Sequence, residues 1–116
     1  MAVHAESLTQ KHCVPCHGGG QAIRREGLAA MARQVPLWEL VGDSRIVREF
    51  TFADFRQTLA FVNRVAALAD AENHHPTVTF TYGKCRLELW THTARGLTEN
   101  DFILAAKIDQ MSHIAT

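Results

Sequence analysis

From Thr77 to Tyr82 polar and apolar residues alternate without a break, TVTFTY, and the alternation resumes from Cys85 in CRLELWTH. Period-two patterning predicts strands with one face on a core. Gly83-Lys84 reads as a two-residue turn between them, so residues 77–92 are expected to form a hairpin. Two earlier β-prone runs, near 37–41 and 45–50, flank Gly42-Asp43-Ser44 and predict another hairpin. Helical spacing dominates the segments between. Ile23, Leu28, Met31 and Val35 fall near one side of a short helix over 23–34, which Pro36 stops. Residues 52–72 carry the strongest helical period, with Thr51 and Asp54 in an N-capping pattern at its start. Stepping about 100° per residue, Phe55, Leu59, Val62, Ala66 and Ala69 form one apolar stripe; Phe61, Val65 and Leu68 form a second, roughly 110° away. The first is expected to face the core. The second belongs either to a deeply buried helix or to a contact with another copy of the chain. Asn73 and Pro76 end this helix. Thr98 and Asp101 repeat the capping pattern before a last helix bearing Leu104, Ile108 and Met111. Helix, hairpin, helix, hairpin, helix predicts an α+β fold, an antiparallel sheet with helices on one face.

Composition narrows the class. The chain has 116 residues, 47% hydrophobic and 21% charged, which suits a single globular domain over 1–116. Twelve basic and twelve acidic residues balance, with no long run of either sign, so nothing marks a nucleic-acid partner. No apolar run is long enough to span a bilayer, and the first dozen residues lack the apolar centre of a secretory leader. The expected setting is the cytoplasm, without a membrane partner. Seven histidines are many for this length, and the positive charge should rise below about pH 6.5.

Residues 1–22 read as a partly irregular, cysteine-bearing lead-in. There Cys13–His17, CVPCH, matches the C-x-x-C-H haem-attachment pattern. Haem is attached outside the cytoplasm, which conflicts with the absent leader. Zinc could draw on Cys13, Cys16 and a nearby histidine, but a structural site usually needs two such pairs. The third cysteine, Cys85, falls on the apolar face of a predicted strand. The favoured reading is a tight turn with packed or idle cysteines, no metal and no cofactor.

The second hairpin organises the histidines. With Gly83-Lys84 as the turn, Tyr82 pairs with Cys85, Phe80 with Leu87 and Val78 with Leu89, all on the core face. Thr77, Thr79, Thr81, Arg86, Glu88, Trp90 and His92 take the other face. Extending the register past Pro76 sets His75 opposite His92, with Cβ atoms about 5 Å apart. His74 points elsewhere. The cluster lies beside a helix C-terminus, whose dipole favours imidazolium.

These residues resemble the pterin-4a-carbinolamine dehydratases. The resemblance rests on DAENHHP, Tyr82 and WTHTARGLTENDF, with WELV, FADFRQTLAFVNRVA and LAAKI extending it over about residues 36–110. CVPCHGG is similar to a lead-in of bacterial members. The resemblance implies a four-stranded antiparallel sheet with three helices. It implies an enzyme dehydrating 4a-hydroxytetrahydropterin to quinonoid dihydropterin, which recycles the pterin of aromatic amino-acid hydroxylases. His74, His75 and His92 become the catalytic residues, and Asp101, Pro76, Trp90 and Asp70 substrate-binding or supporting ones. Asp101 has a competing role as a helix cap, and Asp70 as a solvated helix residue. An aromatic residue often follows HHP in the family; Val78 and Thr79 stand there instead. The implied assembly is a homodimer or homotetramer through the helix bearing Phe61, Val65 and Leu68. A non-catalytic dimerisation or regulatory module of the same fold is the alternative.

Overall fold

The computed structural model describes residues 8–14 and 22–115. Four antiparallel strands, β1 (Glu39–Val41), β2 (Arg45–Thr51), β3 (Thr77–Thr81) and β4 (Lys84–Leu89), form one sheet in the order β1-β2-β4-β3. Among the described residues three α-helices accompany it: α1 (Arg25–Ala32), α2 (Phe55–Glu72) and α3 (Glu99–Ala115). The α+β layering expected from the hairpins is therefore present. Alternation explains the sheet: Ile46, Phe50, Cys85, Leu87 and Leu89 point to one face and are buried there against Leu28, Phe61, Val65, Phe102, Leu104 and Ile108. The other face carries Glu49, Thr77, Thr79, Arg86 and Glu88, which pair across the strands. Among the described residues no helix is long and apolar enough to cross a membrane.

Local chemistry sets the ends of α2. Asp54, rather than Thr51, is the N-cap, and its carboxylate accepts from the Gln57 N–H at 2.9 Å. Asn73 adopts the left-handed conformation at φ 53°, and the His74 N–H reaches back to the Ala69 carbonyl, a Schellman-type stop.

Two expectations are overturned. The first concerns α2. Phe61 and Val65 are each 1% exposed and lie inside their own subunit, with Leu68 packed on the same core. They are not available to another copy. The Phe61 ring sits 4.6 Å from Phe50 and 5.1 Å from Phe52, so aromatic side chains of the β2 strand and its end select this stripe. The stripe expected inside is turned outward at its start: Phe55 and Leu59 are exposed, beside Phe80.

The second is the register of the β3–β4 hairpin. The turn is Tyr82-Gly83, and Thr81 pairs with Lys84, Phe80 with Cys85 and Val78 with Leu87. β4 is a central strand, and its ladder with β2 extends to Thr51 opposite Lys84, which draws Lys84 out of the turn. Gly83 donates no side chain for a spatial reason: a Cβ there would lie 2.8 Å from the Phe52 carbonyl oxygen. The two-residue slip leaves the face of every strand residue unchanged. It does not leave the burial unchanged, because β3 is an edge strand and Val78, Phe80 and Tyr82 are exposed.

The lead-in is not wholly irregular. Leu8–Gln10 form a short 3-10 turn with Leu8 buried in the core. Residues 12–14 are tied to the end of α2 and the start of α3. Glu72 accepts from the Cys13 N–H at 2.8 Å and from the Lys107 ammonium at 2.6 Å, with His12 Nδ1 at 3.1 Å. Asn100 exchanges hydrogen bonds with the Val14 backbone. Burial alone would push Glu72 up, but Lys107, Cys13 N–H and His12 outweigh it and hold the carboxyl at about 2.

Candidate active site

Past the end of the β3–β4 hairpin, two short segments run beside each other. One is Asn73–His75, released from α2 by the left-handed Asn73. The other is Trp90–Thr93, leaving β4 for a 3-10 turn over His92–Ala94. Between them is a cleft of about 260 Å³ lined by His74, His75, Trp90, Thr91 and His92 among others. The three histidines singled out in the sequence thus share one cleft. They do so for a reason other than the expected pairing. With the corrected register, extension of the ladder sets Trp90, not His92, opposite His75. His92 reaches the cleft from the 3-10 turn, with its ring 4.8 Å from the Trp90 indole.

His74 is the buried member, 7% exposed, and its Nε2 lies 2.6 Å from Asp101 Oδ1. Asp101 is fully buried. Its Oδ2 accepts from Thr91 Oγ1 at 2.8 Å and from the Thr98 N–H at 2.9 Å. Thr91 spends its only hydroxyl proton on Asp101, so the 2.9 Å contact between the two threonine hydroxyls has Thr98 as donor. An ionised carboxylate only accepts, so the ring proton in the Asp101 contact belongs to His74 Nε2. Nδ1 remains the nitrogen able to take a proton. The two roles weighed for Asp101 are both filled, one by each oxygen. Oδ2 closes the N-terminus of α3 by reaching back to Thr98, and Oδ1 orients the imidazole.

The remaining supporting residues divide. Trp90 lines the cleft. Asp70 pairs with His75, Oδ1 to Nε2 at 3.0 Å, but both side chains are exposed and such pairs contribute little stability. Pro76 is half-buried and starts the chain into β3. Thr91, Thr98 and Glu72 are not among the site residues that the sequence suggests. Thr98 was readable only as a cap; nothing local signals that Thr91 shares the same carboxylate.

The cysteine motif divides likewise. Cys13 is packed, its Sγ 3.5 Å from the Asn100 carbonyl, and burial with nearby Glu72 pushes its thiol up to about 12. Burial pushes Cys85 up to about 11. Both are poor thiolates near neutral pH. Cys16 and His17 lie outside the described residues.

A family model described as pterin 4 alpha carbinolamine dehydratase matches residues 21–111. The chain belongs to that family. A Rubrobacter xylanophilus protein provisionally named pterin-4-alpha-carbinolamine dehydratase is 46% identical over 104 residues, covering 90% of this chain and 97% of its own. The crystal structure of a Brucella melitensis transcriptional coactivator/pterin dehydratase superposes with a TM-score of 0.74 at 28% identity, over 78% of this chain and 98% of its own. A pterin dehydratase-like protein identified as a RuBisCO assembly factor in the alpha-carboxysome gives 0.56 at 25% identity, over 65% and 88%. The dehydratase family thus includes the whole segment that builds the histidine cleft.

Proposed function

We propose that the chain dehydrates a 4a-hydroxytetrahydropterin to the quinonoid dihydropterin, using His74, His75 and His92 as proton-transfer groups. The carrying observation is the His74–Asp101 contact: a buried carboxylate holds one imidazole in a cleft that two further imidazoles share. In the reaction a proton reaches the 4a-hydroxyl, the C–O bond breaks and water leaves. A ring nitrogen loses a proton as a C=N bond forms. Acid and base must therefore work in one small volume, and an imidazole carries one nitrogen that can give a proton and another that can take one. His74, with Nε2 taken by Asp101, is proposed as the principal proton-transfer group. His75 and His92 share the partner role and hold the hydroxyl. Trp90 offers an aromatic wall where the family's usual aromatic after HHP is absent. The setting proposed is cytoplasmic recycling of a hydroxylase's pterin. The deciding assay follows a pulse of hydroxylase-generated 4a-carbinolamine. Added protein is expected to speed its disappearance well above the spontaneous rate; no acceleration would leave the regulatory-module reading, which the RuBisCO assembly factor makes concrete.

Self-association is proposed through a different surface from the stripe first expected. Phe55, Leu59, Phe80 and Tyr82 are all exposed, next to β3, whose outer edge is unpaired in the sheet. An apolar patch beside an open edge favours another copy of the same chain. Sedimentation at micromolar concentration is expected to give an oligomer, and Leu59→Glu to shift it towards monomer. A monomeric unaltered protein contradicts this.

A further inference from the structure

Trp90 lines a second cleft on its other side, of about 300 Å³, bounded by Ser44, Arg45, Arg95 and Gly96. The strand registers explain the arrangement. Ile46 pairs with Leu89 and Thr77 with Glu88, so one further step along β2 and two back along β3 set Arg45 and His75 on opposite flanks of Trp90. All three belong to the same row of the sheet's open face. With strands about 4.8 Å apart, the histidine flank and the arginine flank are separated by roughly two strand spacings. That is the length of a short substituent on a bicyclic ring.

The charges of this cleft are not self-neutralising. Arg45 approaches Glu88 at 3.5 Å, and Asp43 nearby is taken by Arg25 at 2.9 Å. Arg95 makes no side-chain hydrogen bond or ion pair among the described residues. Its backbone is left-handed, at φ 57°, a conformation glycine adopts freely and arginine does not. The turn is held by Arg95 N–H to the His92 carbonyl and by a two-way Thr91–Gly96 bridge. The unpaired guanidinium is therefore carried on the same closed turn as His92.

We propose that the Arg45–Arg95 cleft is a subsite for an oxyanion at the end of the pterin's side substituent, so the substrate class is a pterin with a phosphate- or carboxylate-ended tail. The proposal rests on the pterin reading of the histidine cleft. The ring occupies the histidine side of Trp90, the tail crosses the indole edge, and Arg95 supplies the unmatched positive charge. Guanidinium suits this task because its planar donors meet an oxyanion in pairs.

Calorimetry can test it with three dihydropterins that differ only in a neutral, carboxylate-ended or phosphate-ended substituent. At least one anionic ligand is expected to bind about tenfold tighter than the neutral one, the scale of one charge-assisted hydrogen bond. Whichever anion shows the advantage identifies the terminal group. The advantage should shrink between low and high salt. Arg95→Gly, which removes the charge and suits the left-handed backbone, should bring the anionic-to-neutral ratio near one without lowering the thermal midpoint. Equal affinity for the three ligands, no binding of any, or an advantage that survives in R95G overturns the subsite. Turnover of the neutral carbinolamine tests the histidine cleft separately: turnover without anion preference removes the subsite alone, and anion preference without turnover removes the dehydratase reading alone.

Discussion

His74→Ala is expected to lower kcat for carbinolamine dehydration by about 10²–10⁴-fold, the range typical of losing a general acid or base. The geometry makes this the most damaging of the three histidine replacements. His74 is buried and held by a carboxylate that is itself held by a hydroxyl and a backbone N–H. His75 and His92 are exposed, and the partner of His75 among the described residues, Asp70, is exposed too. Their single alanine variants should lose less. The His75→Ala/His92→Ala double variant should lose less than the product of the single losses, because groups sharing one task are not additive. Asp101→Asn is the companion test. It keeps the shape but places an amide donor among groups that need an acceptor, so kcat should fall although the reacting atoms are untouched. The same change weakens the α3 cap, whose loss costs about 0.5–2 kcal/mol, so rates must be compared below both melting transitions. Turnover by His74→Ala equal to the unaltered protein would remove His74 from the mechanism.

Glu72→Gln should destabilise the fold by about 3 kcal/mol near neutral pH. Glu72 is held at about 2 instead of 4.5, and each unit corresponds to about 1.4 kcal/mol. Truncating one partner of a buried pair costs a similar amount, about 3–5 kcal/mol, because Lys107 would keep its charge without a counterion. For a chain of this size the melting midpoint should drop by roughly 10–15 °C. The pH dependence is specific. Because the folded-state carboxyl is depressed, its stabilisation is complete above the unfolded value near 4.5 and is lost as pH falls towards 2. Denaturant unfolding from pH 7 down to pH 2 should therefore show the two proteins converging at the acid end. A pH-independent gap would mean that the lost stability comes from packing and not from the ion pair. Glu72 also joins residues 12 and 13 to the helix end that presents His74, so the lead-in buttresses the cleft from behind.

Local pattern and tertiary context divided the information in this chain unevenly. Alternation from Thr77 to Leu89 and the turn residues around Gly42 were sufficient for both hairpins, because a strand with one wet face records its pleat in every residue. The ends of α2 and α3 were legible to within a few residues, since Asp54, Asn73, Thr98 and Asp101 satisfy backbone groups of their own neighbourhood. The HHP and WTH segments and their family resemblance identified the three histidines. None of this decided which stripe of α2 faces inward. Two stripes of similar hydrophobicity differ only in what they meet, and Phe50 and Phe52 sit under Phe61. Nor did it decide the hairpin register, because Lys84 answers to β2 as well as to β3. The Glu72–Lys107 pair and the His74–Asp101–Thr91 chain join side chains from separate elements. Their partners share no period and no turn, so only packing brings them together, and the low dielectric of that packing is what gives them their strength.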